Sequence, residues 1–291
     1  MKRSLSSLFA VALALMVVGC SDTKTAKEAA ETNAAPEMAK SVEGTKTVSL
    51  ANGAKVTWIQ DNEGEKLMPR DLFSDASDSL YASINMPAGI PASVSTFLVQ
   101  VDGVYILFDA GLGAFGGQLM SRLAALGVNP DSIGLVYLTH FHMDHIAGLV
   151  AKDSAGADVK VFKNAAVYAG QVEYDAWMND VPKNDMQKNE MALYKDSLHL
   201  FAFGDTLPHG VLAMDAVGHT PGHTAFQLAN MLIVGDLMHG YVLQKDHPEI
   251  NSNYDMDKAK SAESRKRLMQ YAHENKLLMA GMHLPPPGFA E

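Results

Sequence analysis

The segment 140–145, with the sequence HFHMDH, constrains this chain more than any other part of its sequence. Three histidines and one aspartate fall within six residues, which a chance His-rich loop would rarely produce. The apolar run Leu135–Leu138 precedes the segment, and a second apolar run follows at 146–149. We therefore expect the four side chains at a strand end where a helix begins, with the first two on one side of an extended backbone. This arrangement predicts two ligands for each of two metal ions.

Three more segments downstream place His or Asp directly after a predicted apolar strand. They are the turn 218–223 (GHTPGH), Asp236 after the run 231–234, and His283 after the run 277–280. Strand ends that converge on one cleft are a common way for a sheet to build an active site. We expect these side chains to join those of segment 140–145.

Local patterns predict alternating strands and helices. Asn52-Gly53 and Asp102-Gly103 are hairpin signals between β-like runs. Strands are predicted at 211–217, 224–228 and 231–234, and helices at 116–126, 184–195 and 257–274, the last capped by Asp255 or Asp257. The fold class is therefore α/β or α+β.

The order HFHMDH, GHTPGH, Gly235-Asp236 and a late His283 resembles the metallo-β-lactamase superfamily, from about Ser93 to Pro287. The late segment 283–288 (HLPPPG) and the long interval before it are most similar to the methyl parathion hydrolase and quorum-quenching lactonase branch. That branch often has Phe where this chain has Pro286, so the resemblance leaves the shape of one pocket wall open.

The resemblance implies a four-layer αββα sandwich with the site at one edge of the two sheets. It also implies a set of ligands, with Asp236 bridging the two metals. The first metal takes His140, His142 and His223, and the second takes Asp144, His145 and His283. His219 is expected to shape the turn before His223.

Nitrogen and oxygen ligands suit two zinc ions and would also accept cobalt, manganese or iron. Two such ions about 3.5–4 Å apart can bridge a water and lower its pKa, and the resulting hydroxide attacks a carbonyl or phosphoryl centre. Asp144 and Asp236 are the candidates to handle the proton. We expect hydrolysis of a small ester or lactone such as an acyl-homoserine lactone. An organophosphate triesterase is the close alternative, and a non-hydrolytic metal-binding or redox protein is the alternative of another class.

Supporting roles rest on weaker signals. Asp109 follows the run Val104–Phe108, and in this superfamily such an Asp orients a ligand histidine, the alternative being a turn cap. Four residues are candidates for the substrate pocket: Trp177, His239, Phe115 and Phe289. Helix-face packing for Trp177 and a surface loop for His239 are the alternatives.

The N-terminal region predicts export. Residues 1–20 combine Lys2 and Arg3 with an apolar run that ends in VVGC, which resembles a lipoprotein signal. Cys20 would carry the lipid and anchor the protein in the cell envelope, at the outer membrane facing the periplasm. A secretory signal with a chance cysteine is the alternative. Residues 21–45 read as a flexible tether, and 46–291 as the metallo-hydrolase domain.

Composition limits the partners. Hydrophobic residues make up 47% of the chain, enough for a sizeable core, and Cys20 is the single cysteine, so the domain has no disulfide. The formal net charge of -10 argues against a nucleic-acid partner, which needs a basic face. We expect a small-molecule substrate. The sequence leaves the oligomeric state open, with a homodimer as one alternative because many relatives dimerise.

Overall fold

The computed structural model describes residues 42–290 of the chain. The predicted signal peptide (1–20), its Cys20 and most of the predicted tether lie outside the described residues. The first strand begins at Thr45, one residue before the predicted domain start. Within residues 42–290, no helix is long and apolar enough to cross a membrane.

The described residues form seventeen strands and seven α-helices. The strands are β1 Thr45–Ser49, β2 Lys55–Gln60, β3 Lys66–Met68, β4 Ile90–Ala92, β5 Ser95–Val101, β6 Val104–Phe108, β7 Ile133–Tyr137, β8 Val150–Lys152, β9 Asp158–Lys160, β10 Ala166–Gly170, β11 Leu198–Phe201, β12 Thr206–Leu207, β13 Val211–Asp215, β14 Thr224–Leu228, β15 Met231–Gly235, β16 Leu278–Gly281 and β17 Phe289–Ala290. The helices are α1 Asp78–Ile84, α2 Leu119–Ala125, α3 Met143–Ile146, α4 Gln171–Asn179, α5 Asp185–Tyr194, α6 Tyr241–Gln244 and α7 Lys258–Glu274.

Two large sheets face each other across a hydrophobic core. The first has seven strands in the order β1-β2-β5-β6-β7-β10-β11, and the second has six in the order β12-β13-β14-β15-β16-β17. Phe97, Phe108 and Tyr137 of the first sheet share one buried cluster with Phe226 and Ile233 of the second. The two sheets therefore bury their inner faces against each other.

Helices cover the outer face of each sheet. Leu98 and Leu107 point away from the inter-sheet core and pack in the cluster that contains Leu123 of α2 and Met191 of α5. On the second sheet, alternate residues of β15 pack in the cluster that contains Leu268 of α7. Because successive strand residues face opposite sides, a strand buried on both faces has a continuous apolar run. The layers are therefore α, β, β and α, and the predicted fold class is confirmed.

Local sequence signals produced the predicted elements. Asp102 and Gly103 both have positive φ, 50° and 76°, as expected for the tight turn between β5 and β6. Asp257 caps α7 by accepting a hydrogen bond from the Lys260 N–H at 3.1 Å. The helix predicted from Gly116 begins only at Leu119, since Gly116 itself has a left-handed φ of 94°.

Parallel strand pairs bring the sequence motifs to one edge. β6 and β7 are parallel neighbours, so Asp109 and the segment 140–145 follow adjacent strand ends. β15 and β16 are also parallel, so Asp236 and His283 leave the second sheet side by side. The Thr224 N–H also donates to the Thr139 carbonyl at 2.9 Å, which places the end of the turn 218–223 beside the segment 140–145.

Candidate metal centre

Seven His and Asp side chains form two adjoining clusters at this edge. Four offer ligand atoms to the first cluster and three to the second, each set lying within 4.8 Å of one another. The first cluster consists of His140, His142, His219 and Asp236, and the second of Asp144, His145 and His283. Six of these seven residues are ones that the sequence predicted as ligands.

Asp236 lies at the centre of both clusters. It is 2% exposed and follows β15 directly. Five histidine nitrogens surround its carboxylate: His140 at 3.6 Å, His145 at 3.1 Å, His219 at 3.3 Å, His239 at 3.2 Å and His283 at 3.1 Å. This position agrees with the bridging role that the resemblance implies.

The structure corrects the assignment of His223. Its Nδ1 donates to the Ala216 carbonyl at 3.0 Å, and its Nε2 accepts from the Asp236 N–H at 3.1 Å, so both ring nitrogens are occupied by the backbone. Gly235 also packs directly against this ring, because a Cβ at that position would lie 2.4 Å from the same Nε2. His219 takes the place predicted for His223, with its Nε2 2.9 Å from Nδ1 of His142.

In every histidine of the two clusters except His142, the ring nitrogen that faces away from the cluster forms a hydrogen bond with a neighbouring residue. His145 Nδ1 lies 2.7 Å from Asp109 Oδ2, while Asp109 also accepts hydrogen bonds from the N–H and hydroxyl of Thr139. The remaining partners are Thr139 Oγ1 for His140, Asp255 Oδ1 for His219 and the Ser93 carbonyl for His283, at 3.0, 3.0 and 2.8 Å. Asp109 thus occupies the orienting position that the sequence predicted.

Burial and mutual charge set the protonation of the cluster. Burial lowers the pKa of His142 to about 3, which leaves a neutral imidazole. Burial alone would lower the pKa of His283 as well, but Asp236 and Asp144 raise it to about 10. Burial would raise the pKa of Asp236, yet the histidines around it, His145 foremost, hold it well below its usual range. Burial would raise the pKa of Asp144 too, but His145 and His283 hold it below its usual range, so both carboxylates are ionised and suited to a cation.

The donor set fits divalent metal ions. His145 Nε2 and Asp236 Oδ1 are buried, lie 3.1 Å apart and have no hydrogen-bond partner among residues 42–290. A buried polar atom without a partner costs free energy unless a bound ligand interacts with it. Imidazole nitrogens and carboxylate oxygens are the ligands of zinc and other borderline divalent ions.

Glu173, on α4, forms hydrogen bonds with two of the segments that carry predicted ligands. No motif in the sequence indicated this role. It is 1% exposed, and its carboxylate accepts from the Phe141 and Gly222 N–H groups, from Thr220 Oγ1 and from Trp177 Nε1, at 2.7–2.9 Å. The same carboxylate therefore fixes both the segment 140–145 and the turn that carries His219.

An open cleft of about 460 Å³ leads to the clusters. Its walls include Met68, Val94, Leu112, Met143 and Tyr254. Most of this wall comes from segments before β5 and after β15, and His239 is the only one of the four predicted pocket residues that lines it.

His239 also lines the cleft, where the sequence predicted a pocket residue. It is 1% exposed, and its Nδ1 has no hydrogen-bond partner within the described residues. The alternative prediction for His239, a position in a surface loop, is therefore wrong.

The three aromatic residues predicted for the pocket lie elsewhere. Trp177 is buried behind His142, with its ring edge-on at 5.7 Å and its Nε1 bonded to Glu173. Phe289 packs against Phe97 in the inter-sheet core, and Phe115 is 58% exposed beside a different cavity. Pro286 also lines a separate cavity, together with Arg122.

Comparison with known proteins agrees with this geometry. A family model described as the metallo-beta-lactamase superfamily matches residues 89–274, well over half of the chain. The hydroxyacylglutathione hydrolase of Aeromonas salmonicida is 28% identical over 162 residues, covering 55% of this chain and 51% of that protein. The chain thus spans about half the length of this curated relative.

Two solved structures share the fold over most of their length. The hydrolase AbOPH of the beta-lactamase superfamily is 27% identical, with a TM-score of 0.73 over 87% of this chain and 94% of its own. The dizinc quorum-quenching lactonase AidC, solved with N-hexanoyl-L-homoserine, is 24% identical, with a TM-score of 0.74 over 84% and 92%. From the family match and the shared fold, this chain belongs to the metallo-β-lactamase superfamily.

Proposed function

We propose that this protein is a dinuclear metal-dependent hydrolase of small lactones or esters, with N-acyl-homoserine lactones as the leading substrate class. The observation that carries the proposal is the pair of ligand clusters beside an open cleft, connected by Asp236 of the first cluster, whose carboxylate lies 3.1 Å from His145 and from His283 of the second. Zinc is the proposed metal, because the donors are five histidine nitrogens and two carboxylates.

Two divalent ions, when bound, would supply a water of lowered pKa and would polarise the carbonyl oxygen of the ester or lactone. The two candidate carboxylates are then not equivalent. Asp236 is 2% exposed and surrounded by histidines, which favours a purely ligating role. The Asp144 side chain is 24% exposed and borders the cleft, so Asp144 is the better candidate to accept a proton during attack.

The cleft supports a substrate with an apolar acyl group. Met68, Val94, Leu112 and Met143 give the cleft apolar lining residues beside the clusters, together with the polar Asn62 and Lys66. His239 also lines the cleft, and its Nε2 lies 3.2 Å from Asp236 Oδ2. The neighbour AidC was solved with N-hexanoyl-L-homoserine, the ring-opened form of such a lactone. A phosphotriester would meet the same wall, and this alternative is an outcome of the test below.

Export and assembly remain proposals from the sequence alone. We propose that Cys20 is lipidated and that the tether holds the domain at the outer membrane facing the periplasm, where it meets small diffusible substrates. We also propose a homodimer.

The test is metal content and turnover of the purified zinc-loaded chain. We expect about two zinc ions per chain and a kcat/KM for N-hexanoyl-homoserine lactone at least ~10-fold above those for an aryl ester and a phosphotriester. Asp236→Asn should abolish turnover of every substrate, whereas the exposed-site control Glu63→Gln should leave it unchanged. A chain that bound less than one metal and hydrolysed none of the three would contradict the proposal.

A further inference from the structure

We infer that Asp255 and Arg265 form a buried positioning pair that holds His219 in the metal centre and ties it to the segment 237–256 beside the cleft. The inference rests on the metal binding of the proposed function and is independent of the substrate. Neither residue belongs to the ligand motifs, and both lie more than thirty positions after His219 in the chain.

The first contact fixes the ring of His219. Its Nδ1 lies 3.0 Å from Asp255 Oδ1, and its Nε2 faces the cluster, 3.3 Å from Asp236 Oδ2. A proton held on Nδ1 by a carboxylate leaves the lone pair of Nε2 directed at the metal position. His219 is thereby oriented in the way that Asp109 orients His145 on the other side of the centre.

The second contact keeps the Asp255 carboxylate ionised although it is only 6% exposed. Its Oδ2 accepts from the Ser252 N–H at 3.0 Å and from Arg265 Nη2 at 3.3 Å. A buried carboxylate without such partners would be strongly disfavoured.

Arg265 extends the connection from α7 into the segment beside the cleft. Its side chain is fully buried, and its Nε donates to the Leu237 carbonyl at 2.7 Å. Nη1 donates to the carbonyls of Pro248 and Ile250, at 2.8 and 2.9 Å, and Nη2 also reaches Ser261 Oγ at 3.1 Å. Only the planar fork of a guanidinium can serve carbonyls in so many directions, so lysine would not replace it.

The segment held in this way carries part of the substrate wall. His239 and Tyr254 lie within it and both line the cleft. Its end is tied to the His219 turn by backbone hydrogen bonds from Met256 to the His219 carbonyl, at 3.1 Å, and from Asp257 to the Gly218 carbonyl, at 2.8 Å. The pair therefore links one metal ligand and one wall of the cleft to the same buried guanidinium.

The test is zinc affinity and the visible spectrum of the cobalt-substituted protein for the variants Asp255→Ala and Asp255→Asn. The matched control is Asp257→Ala, which removes the cap of α7 two residues away without touching His219. We expect Asp255→Ala to weaken one of the two zinc sites by about 10–100-fold, leave the other unchanged and alter the cobalt spectrum. Asp255→Asn keeps an oxygen that can accept from Nδ1, so it should recover most of the affinity and of the spectrum.

Asp257→Ala should lower the melting temperature and leave both zinc affinities at the wild-type value. If Asp255→Ala does the same, the pair is only a packing feature and the inference is overturned. If Asp255→Ala does not fold, Arg265→Lys decides in its place: a weakened zinc site supports the inference and unchanged affinity for both sites overturns it. A wild-type chain that binds no zinc would instead overturn the proposed function.

Discussion

At the scale of single residues, the turn 218–223 shows what a motif leaves undetermined. Its two histidines look equivalent in sequence, four positions apart in GHTPGH. The structure separates them, because His219 faces the cluster while both nitrogens of His223 bond to the backbone at Ala216 and Asp236. The residue types of a metal site could thus be predicted from the sequence, but the choice between these two depended on contacts with distant strands.

This separation predicts opposite results for two alanine variants. His219→Ala should lose one of two bound metals and nearly all activity, because it removes a nitrogen from the first cluster. His223→Ala should keep both metals but lose about 1–3 kcal/mol of unfolding free energy, since it leaves the buried Asp236 N–H without an acceptor. Metal analysis and denaturant unfolding measure the two effects. Loss of metal from His223→Ala with retention by His219→Ala would restore the assignment made from the sequence.

At the scale of elements, strands and turns with local signals were predicted well. The hairpins at Asn52-Gly53 and Asp102-Gly103 follow from backbone conformation, and the cap at Asp257 follows from one side-chain hydrogen bond. The bounds of α4 were not predicted, and the sequence left both a pocket position and helix-face packing open for Trp177. Which face of α4 meets the ligand loops depends on Glu173, a residue whose partners are up to 49 positions away.

Replacing Glu173 by Gln tests α4 as the element that joins the two ligand segments. One carboxylate oxygen becomes an amide that cannot accept from the N–H groups of Phe141 or Gly222. We expect a loss of about 1–3 kcal/mol in unfolding free energy together with weaker zinc binding at the cluster of His142 and His219. Asp175→Asn, at an exposed position of the same helix, should change neither quantity. If Asp175→Asn had the same effect as Glu173→Gln, the losses would come from a general weakening of α4 and not from the contacts of Glu173.

At the scale of the whole molecule, the sandwich unites residues that are far apart in the chain. Two parallel strand pairs, β6 with β7 and β15 with β16, deliver Asp109, the segment 140–145, Asp236 and His283 to one edge. The order of motifs was sufficient to predict this arrangement. The cleft wall was not predictable in the same way, since Met68, Val94 and Tyr254 belong to segments without chemical motifs.

Glu190, on α5, couples the stability of the whole molecule to pH without touching the metal centre. Its side chain is 5% exposed, it borders a cavity of about 310 Å³, and its Oε2 has no hydrogen-bond partner in the described part of the chain. Burial, assisted by Asp158, raises the pKa of Glu190 from 4.5 to about 8. Lys152 also lines this cavity, but its Nζ pairs with Asp158 at 2.7 Å and gives Glu190 no direct partner.

The sign of the resulting pH dependence follows from the two pKa values. Below pH 4.5 both folded and unfolded chains carry the proton, so Glu190 favours neither. Between pH 4.5 and about 8 the unfolded chain releases the proton while the folded chain keeps it, so stability falls as pH rises.

Glu190→Gln removes this loss, and its melting temperature should exceed that of wild type by more than ~2 °C at pH 9 and by nothing measurable at pH 4.5. Glu63→Gln makes the same substitution at an exposed position and should show no such trend across a melting series at these pH values. The difference in melting temperature between Glu190→Gln and wild type could instead stay constant with pH. That result would mean that the Glu190 carboxyl is ionised in the folded protein and solvated through the cavity.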